Sequence, residues 1–549
     1  MKRNSLTTAL LAGLAGVAGM ASTANALNIN PDGIGQVLIY PYYTVNKGNQ
    51  TLISVVNTTS AVKAVKVRIL EGRNSREVLD FNLYLSPFDV WVGSIEASGA
   101  TGPARLKTPD TSCTVPQIPG AGTAAWTLGG VDFRNFEYSN LEPIGGANRR
   151  DHPSSLVPVY ESLDRTREGY IEMIDMGVLS TGTGLTRLAE EATHVRPAAV
   201  GTVAAVPANC SALVLSWTEG QPGGWWAEGG EVNVGLPNGG LYGGGSIVDV
   251  ANGTMISYNA DALDGFYTNA ARAGFLHTNP GFVEPDLGDC DNGGGNCDVY
   301  LFENFTGRAL TLRFAAGGAI SGWDAVSSLY MSDAIFNEYV TDTAIASKSE
   351  WVVNFPTKEV YVRGSTNPAI PPFRDVFEND GQACESIDIT IWNREEMTGT
   401  PGSVDFSPRP PGASGPTLCF EAQVVTFNQT LTNTAGNSTS PSGIFGATYA
   451  RNLSTTAPAG VVNNPATAPQ LANGHTRIRF NGPQGGPRPA IQVLSVLPGG
   501  TATQTGTLFG LPVTGFWAWT AVNSAAQPGL LANFSGAFRH RSSRVTSGI

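Results

Sequence analysis

Between residues 35 and 96 apolar side chains recur at every second position, and that spacing constrains the fold more than any other feature of the chain. Val65, Val67 and Ile69 alternate with Lys66 and Arg68, and Leu79, Phe81, Leu83 and Leu85 alternate with Asp80, Asn82 and Tyr84. A period of two sends successive side chains to opposite faces of a strand, so each segment predicts one apolar and one wet face. Turn residues at 46–49, 57–60, 72–75 and 86–87 cut the stretch into a meander of five strands. Short strands at this spacing predict a mainly β chain of antiparallel β-sandwich-type domains, with long Gly- and Pro-rich loops and a few short helices, rather than βαβ units. With 66 Gly, 35 Pro and only 14% charged residues, little is left for long amphipathic helices.

The same pattern returns along the chain. Strands are expected at 169–176, 212–217, 309–314, 350–354, 359–363, 387–393, 420–427, 476–480, 490–497 and 515–522, and a hairpin at 246–258 closes on Asn252-Gly253. Short helices are expected at 185–193, with Thr183 as N-cap, and at 332–340. A composition change near residue 365, marked by Pro368, Pro371 and Pro372, divides the expectation into a large β-rich unit over 27–364 and a second over 365–549, the latter with low-complexity loops.

Residues 1–26 read as a signal peptide: Lys2 and Arg3 precede an Ala- and Leu-rich run that ends in the small residues Ala24 and Ala26. Its removal leaves 549 − 26 = 523 residues and takes the net charge from −12 to −12 − 2 = −14. An acidic chain of this kind is a poor match for nucleic acid or anionic membrane surfaces. No later stretch has the roughly 18 apolar residues of a membrane helix, so no transmembrane segment is expected in the mature chain.

The six cysteines, an even number in a chain expected to be exported, read as disulfides. Fifteen pairings exist; closeness favours Cys290 with Cys297, and Cys384 with Cys419 and Cys113 with Cys210 then form the simplest set. The expected location is the cell surface or the extracellular space, with the periplasm as the alternative.

Three stretches carry a resemblance: 350–358 (Glu-Trp-Val-Val-Asn-Phe-Pro-Thr-Lys), the apolar run 169–176, and the ending from Leu531-Ala532-Asn533-Phe534 through Arg544. They resemble an uncharacterised family of exported proteins of Gram-negative bacteria. The resemblance spans most of the mature chain and implies export across an inner membrane. It implies no activity and no functional residue.

Two stretches carry candidate chemistry. Asp286, Asp289, Asp291 and Asp298, in and around a loop closed by Cys290 and Cys297, offer the hard oxygen ligands that Ca2+ takes, although the spacing is not an EF-hand. The bland reading is an acidic, solvated hairpin. Trp225 and Trp226, with Trp217 nearby, lie in or beside a Gly-rich loop where exposed rings would stack on a sugar face; the bland reading is packing under a long loop.

Hydrolytic machinery is weakly indicated, since no Gly-x-Ser-x-Gly elbow or His-Glu-x-x-His motif occurs; Asp151-His152 and Glu190-Glu191 with His194 are the local pairings on offer. Leu511-Pro512-Val513-Thr514-Gly515 matches a sorting signal, but the polar segment after it reads as a turn and a strand. The expected function is therefore an exported cell-surface or extracellular structural or binding protein without catalytic activity, stabilised by calcium. Its partners would be surface or matrix components, a second copy of itself, or glycans. The alternative is a secreted carbohydrate-binding or carbohydrate-cleaving protein.

Overall fold

In a computed structural model of the chain, the structure describes residues 26–123, 127–138, 162–181, 187–196, 205–227, 229–303, 307–315, 318, 320–363, 369–376, 382–396, 398–399, 416–428, 437–438, 441–454, 473–480, 488–496, 503–527 and 530–549. Residues 1–25 of the expected signal peptide, Asp151-His152 and the expected cap Thr183 lie outside them.

The five expected strands are present as Val37–Thr44, Asn49–Asn57, Val62–Glu71, Glu77–Leu85 and Val90–Ala97. They do not form one meander. The first, third and fourth belong to one sheet and the second and fifth to another. In the first sheet the strand Glu168–Leu179 inserts between Val37–Thr44 and Val62–Glu71, antiparallel to both. In the second, Asn49–Asn57 lies between Val90–Ala97 and Leu241–Asp249. The hairpin at Asn252-Gly253 is as expected, with Asp249 opposite Thr254 and Gly253 at φ 60°. A core that includes Tyr40, Ile53, Val65, Val67, Ile69, Phe81 and Trp91 fills the space between these two sheets.

The alternate face of the first sheet is not wet, which corrects the sequence expectation. All ten residues of Val62–Glu71 are buried, because a second core, a helix and long loops cover that face. Lys66 pairs with Asp80 at 2.5 Å, and Arg68 reaches Glu172 at 2.6 Å and Glu77 at 3.0 Å. Buried charges persist only when paired and hydrogen-bonded, and here the partners come from the neighbouring strands themselves.

The remaining sheets run across residue 365. Arg308–Phe314 pairs with Ala490–Val496, Ala334–Val340 with Asn473–Arg479, and Ser347–Asn354 with both Ala422–Asn428 and Thr514–Gln527. The composition change near 365 is thus not an edge between sheets. Nor is the first sandwich sealed off: its core continues into Val352, Ala422, Phe445 and Phe516. Two buried carboxylates fix the segment that makes this join. Glu168 accepts the Thr448 amide at 2.7 Å, and Glu350 accepts those of Ile444 and Phe445 at 2.8 and 3.1 Å.

Three local expectations are corrected. Residues 212–217, read as a strand, lie in and just after the helix Cys210–Ser216. Residues 359–363, also read as a strand, form most of the helix Lys358–Val362, whose Lys358 Nζ turns inward to the carbonyls of Ala383 (2.7 Å) and Cys419 (3.0 Å). Residues 332–340, read as a helix, form the strand Ala334–Val340, and the helix lies just before it at Ser321–Tyr330. The short helix at Leu188–Ala192 is as expected. Leu511–Pro512 is buried and pairs with Met331–Ser332, so that segment is a strand.

The three disulfides are Cys113–Cys210, Cys290–Cys297 and Cys384–Cys419, the simplest set. Three bridges are consistent with an oxidising, exported location. No described helix is long and apolar enough to cross a membrane.

Candidate functional site

The tryptophan loop and the acidic stretch, separate in sequence, line one cleft of about 380 Å3. Its position follows from the Cys113–Cys210 bridge, which fastens the helix Cys210–Ser216 to the edge strand Cys113–Val115 of the first sheet. The chain then loops out and returns, and the Trp226 amide donates to the Ser216 carbonyl at 2.7 Å. Trp226 is only 1% exposed and so cannot offer a face to a ligand. It is the floor: its ring stacks on Tyr84 at 5.7 Å and meets His277 edge-on at 4.5 Å, while its Nε1 donates to Val232 O at 2.9 Å. Trp225 is partly buried against the same core and does not line the cleft.

A one-way chain of hydrogen bonds sets the floor. Gly230 O can only accept, so His277 Nδ1, 2.7 Å away, carries the proton. Nε2 then accepts from the Tyr84 hydroxyl at 3.1 Å, and that oxygen accepts from Trp217 Nε1 at 3.0 Å. Burial pushes the His277 ring down to about 4, so it is neutral at ordinary pH, as this chain requires. Gly230 is needed for the approach: a Cβ there would stand 1.6 Å from the His277 carbonyl oxygen.

The walls differ in character. Phe275 and Phe282 are exposed on the apolar side. Glu231 and Glu284, both exposed, and the half-buried Asp289 form the acidic side. Burial, and then the charges of Asp286 and Glu284, push the Asp289 carboxyl up to about 7.

The four aspartates expected to share a cation do not converge. Asp286 accepts the Gly288 amide at 2.7 Å, and Asp289 accepts the Asp286 amide at 2.9 Å. Asp291 takes Asn269 Nδ2 at 2.5 Å and the Gly295 amide at 2.7 Å, while Asp298 forms a two-pronged pair with Arg313 at 2.8 and 2.6 Å. Local turn and strand geometry thus engages one oxygen each of Asp286 and Asp289 and both of Asp291 and Asp298, and among the described residues no group of three or more His, Cys, Asp or Glu gathers as a metal site. His194, considered with Glu190-Glu191, instead contacts Ser86 at 2.8 Å and Thr111 at 3.0 Å, with Asp89 at 3.4 Å.

Sequence reasoning named Trp217, Trp226 and Asp289 but not Tyr84, His277, Phe275 or Phe282 as parts of one site. Tyr84 lies in a strand far away in sequence, and no local motif joins it to His277. Compared with protein-family models, curated proteins and solved structures, the chain matches none of them.

Proposed function

We propose that this chain is an exported binding protein, a disulfide-stapled β scaffold acting at the cell surface or outside the cell, and that its cleft takes a carbohydrate. The observation that supports this reading is the meeting of Phe275, Phe282 and Trp217 with Glu231, Glu284 and Asp289 in one concavity. A sugar ring has an apolar C–H face and a rim of hydroxyls. Aromatic rings take the first, and carboxylates accept hydrogen bonds from the second. The volume lies within the usual range for small-ligand sites.

A glycan array tests the reading, with the full chain and with Phe282→Ala and Glu284→Gln, two exposed positions whose loss leaves the floor intact. Binding to a restricted glycan set, weakened at least about tenfold by either substitution, is expected for a ring and a carboxylate that both touch ligand. Failure to retain any glycan, or retention unchanged in both variants, would leave the scaffold role without this ligand.

A further inference from the structure

Among the buried ion pairs of the first sheet, that of Lys63 has a third member with different chemistry. Lys63 Nζ lies 2.8 Å from Asp175 Oδ2, and both side chains are 0% exposed. The same Nζ donates to Asn238 Oδ1, the side-chain amide oxygen, one bond from a carbonyl carbon. Asp175 Oδ2 also accepts the Gly239 amide at 3.2 Å, so one carboxylate holds both the amine and the backbone beside the amide. A bulge in Glu168–Leu179 between Asp175 and Gly177 sets this up, with the Gly177 amide donating to Asp175 Oδ1 at 3.1 Å. The residues opposite the pair in the sheet, Leu85 across from Lys63 and Val65 across from Asp175, are both apolar and fully buried.

We propose that Lys63 and Asn238 become joined by an intramolecular isopeptide bond, with Asp175 as the proton carrier. The Lys63 ammonium gives one proton to Asp175, and the freed amine attacks Cγ of Asn238. The Nζ–Cγ bond forms and the Cγ–Nδ2 bond breaks. Of the three ammonium protons one stays on the new amide nitrogen, and two leave with Nδ2 as ammonium, the second returned through Asp175. No oxidant or other reactant is consumed. Burial pushes the Asp175 carboxyl up, toward the protonated form it must take in passing. Holding amine, amide and acid together supplies the proximity that an otherwise slow amide exchange needs.

The bond would tie the strand Val62–Glu71 of the first sheet to the loop entering Leu241–Asp249 of the second, closing a loop with a sequence separation of 175. It would stabilise the sandwich as a long-range disulfide does, through the unfolded state, yet would survive reductants. The inference stands independently of the carbohydrate reading.

Mass spectrometry of the purified full chain, denatured and reduced, tests it. The intact mass, counted from the determined N-terminus, should be lower than that of the sequence by one ammonia. Trypsin should fail to cut after Lys63, and the peptide holding Lys63 should be found joined to that holding Asn238. Asn238→Ala, at an exposed side chain, and Asp175→Asn should restore both the full mass and the cut. A wild-type mass equal to that of the sequence, with normal cleavage after Lys63, would reduce the cluster to an ion pair and overturn the proposal. Loss of ammonia with normal cleavage would overturn it too, since that pattern marks a cyclic imide at Asn238-Gly239.

Discussion

The hydroxyl of Tyr84 stands 3.1 Å from Nε2 of His277, although 193 residues separate the two. Tyr84 belongs to the fourth strand of the opening stretch, and His277 to the loop that carries Phe275 and Phe282. The contact therefore ties the aromatic wall of the cleft to the most regular part of the scaffold. The ring of Trp217 joins it through Nε1, and Trp226 fills the space beneath. A loop-borne site gains its geometry from the sheet below it.

Tyr84→Phe tests this relay. The ring and its stack on Trp226 remain, but Trp217 Nε1 and His277 Nε2 lose their common partner inside the protein. Leaving buried polar groups unmatched costs about 1–3 kcal/mol. The urea midpoint should fall with an unchanged slope, and near-ultraviolet circular dichroism should show altered tryptophan packing. An unchanged midpoint and spectrum would mean that packing alone holds the floor.

Glu168 gives a pH prediction. It is 1% exposed, and its oxygens accept from neutral groups, the Tyr42 hydroxyl at 2.7 Å and the Thr448 amide at 2.7 Å. Burial pushes its carboxyl up to about 7. The folded value lies above the unfolded one, so this group's contribution to stability is complete below about 4.5 and is lost as pH rises through about 7. Glu168→Gln removes the titration and keeps the acceptor for Thr448. Relative to wild type, the variant should gain on the order of 3 kcal/mol between pH 4.5 and pH 8.5. Parallel stability curves for the two proteins would show that Glu168 is ionised throughout.

Much of the fold was legible from the alternation of Val65, Val67 and Ile69 with Lys66 and Arg68, because a period of two belongs to strands alone. That Lys66 and Arg68 face inward was not legible, since their cover comes from residues such as Phe282, whose carbonyl accepts from Lys66 Nζ at 2.6 Å. The pattern records which side chains differ, and not what lies over them. Residues 212–217 misled for another reason: a short apolar run fits a buried strand and a buried helix equally, and the Cys113 bridge that seats the helix is a long-range fact. The cleft was half legible. Its tryptophans and acids were visible as oddities of composition, but their meeting around His277 depends on tertiary contacts with Tyr84.

The Cys113–Cys210 bridge should matter to the cleft more than to the sheets. Its sequence separation is 97, and its loss, by Ser at both positions, should lower stability by about 2–5 kcal/mol. The helix Cys210–Ser216 would lose its anchor first, and with it Trp217. Hydrogen exchange should rise over residues 205–230 before it rises in Glu168–Leu179. Uniform exchange across both regions would contradict a local role.

Asp289 is where the binding reading and a cleaving one part. Burial, Asp286 and Glu284 push its carboxyl up to about 7, so near neutrality a substantial fraction carries a proton beside the exposed Glu231 and Glu284. A carboxylic acid kept protonated next to carboxylates is what general-acid cleavage of a glycosidic bond requires, and it also serves as a hydrogen-bond donor to a bound hydroxyl. Asp289→Asn separates the roles. The amide keeps an acceptor for the Asp286 N–H and a donor toward ligand but cannot release a proton. Because the folded value lies above the unfolded one, ionisation lowers wild-type stability as pH rises through about 7. The variant should therefore be the more stable protein at pH 8.5, by about 1–2 kcal/mol for a half-buried group, and equal to wild type below the unfolded range near 4. If the cleft only binds, glycan retention at pH 6 survives the substitution, and wild type incubated with its retained glycan releases no shorter sugar. Release of shorter sugar by wild type, abolished in the variant while retention persists, would make Asp289 the acid of a hydrolase and replace the binding reading.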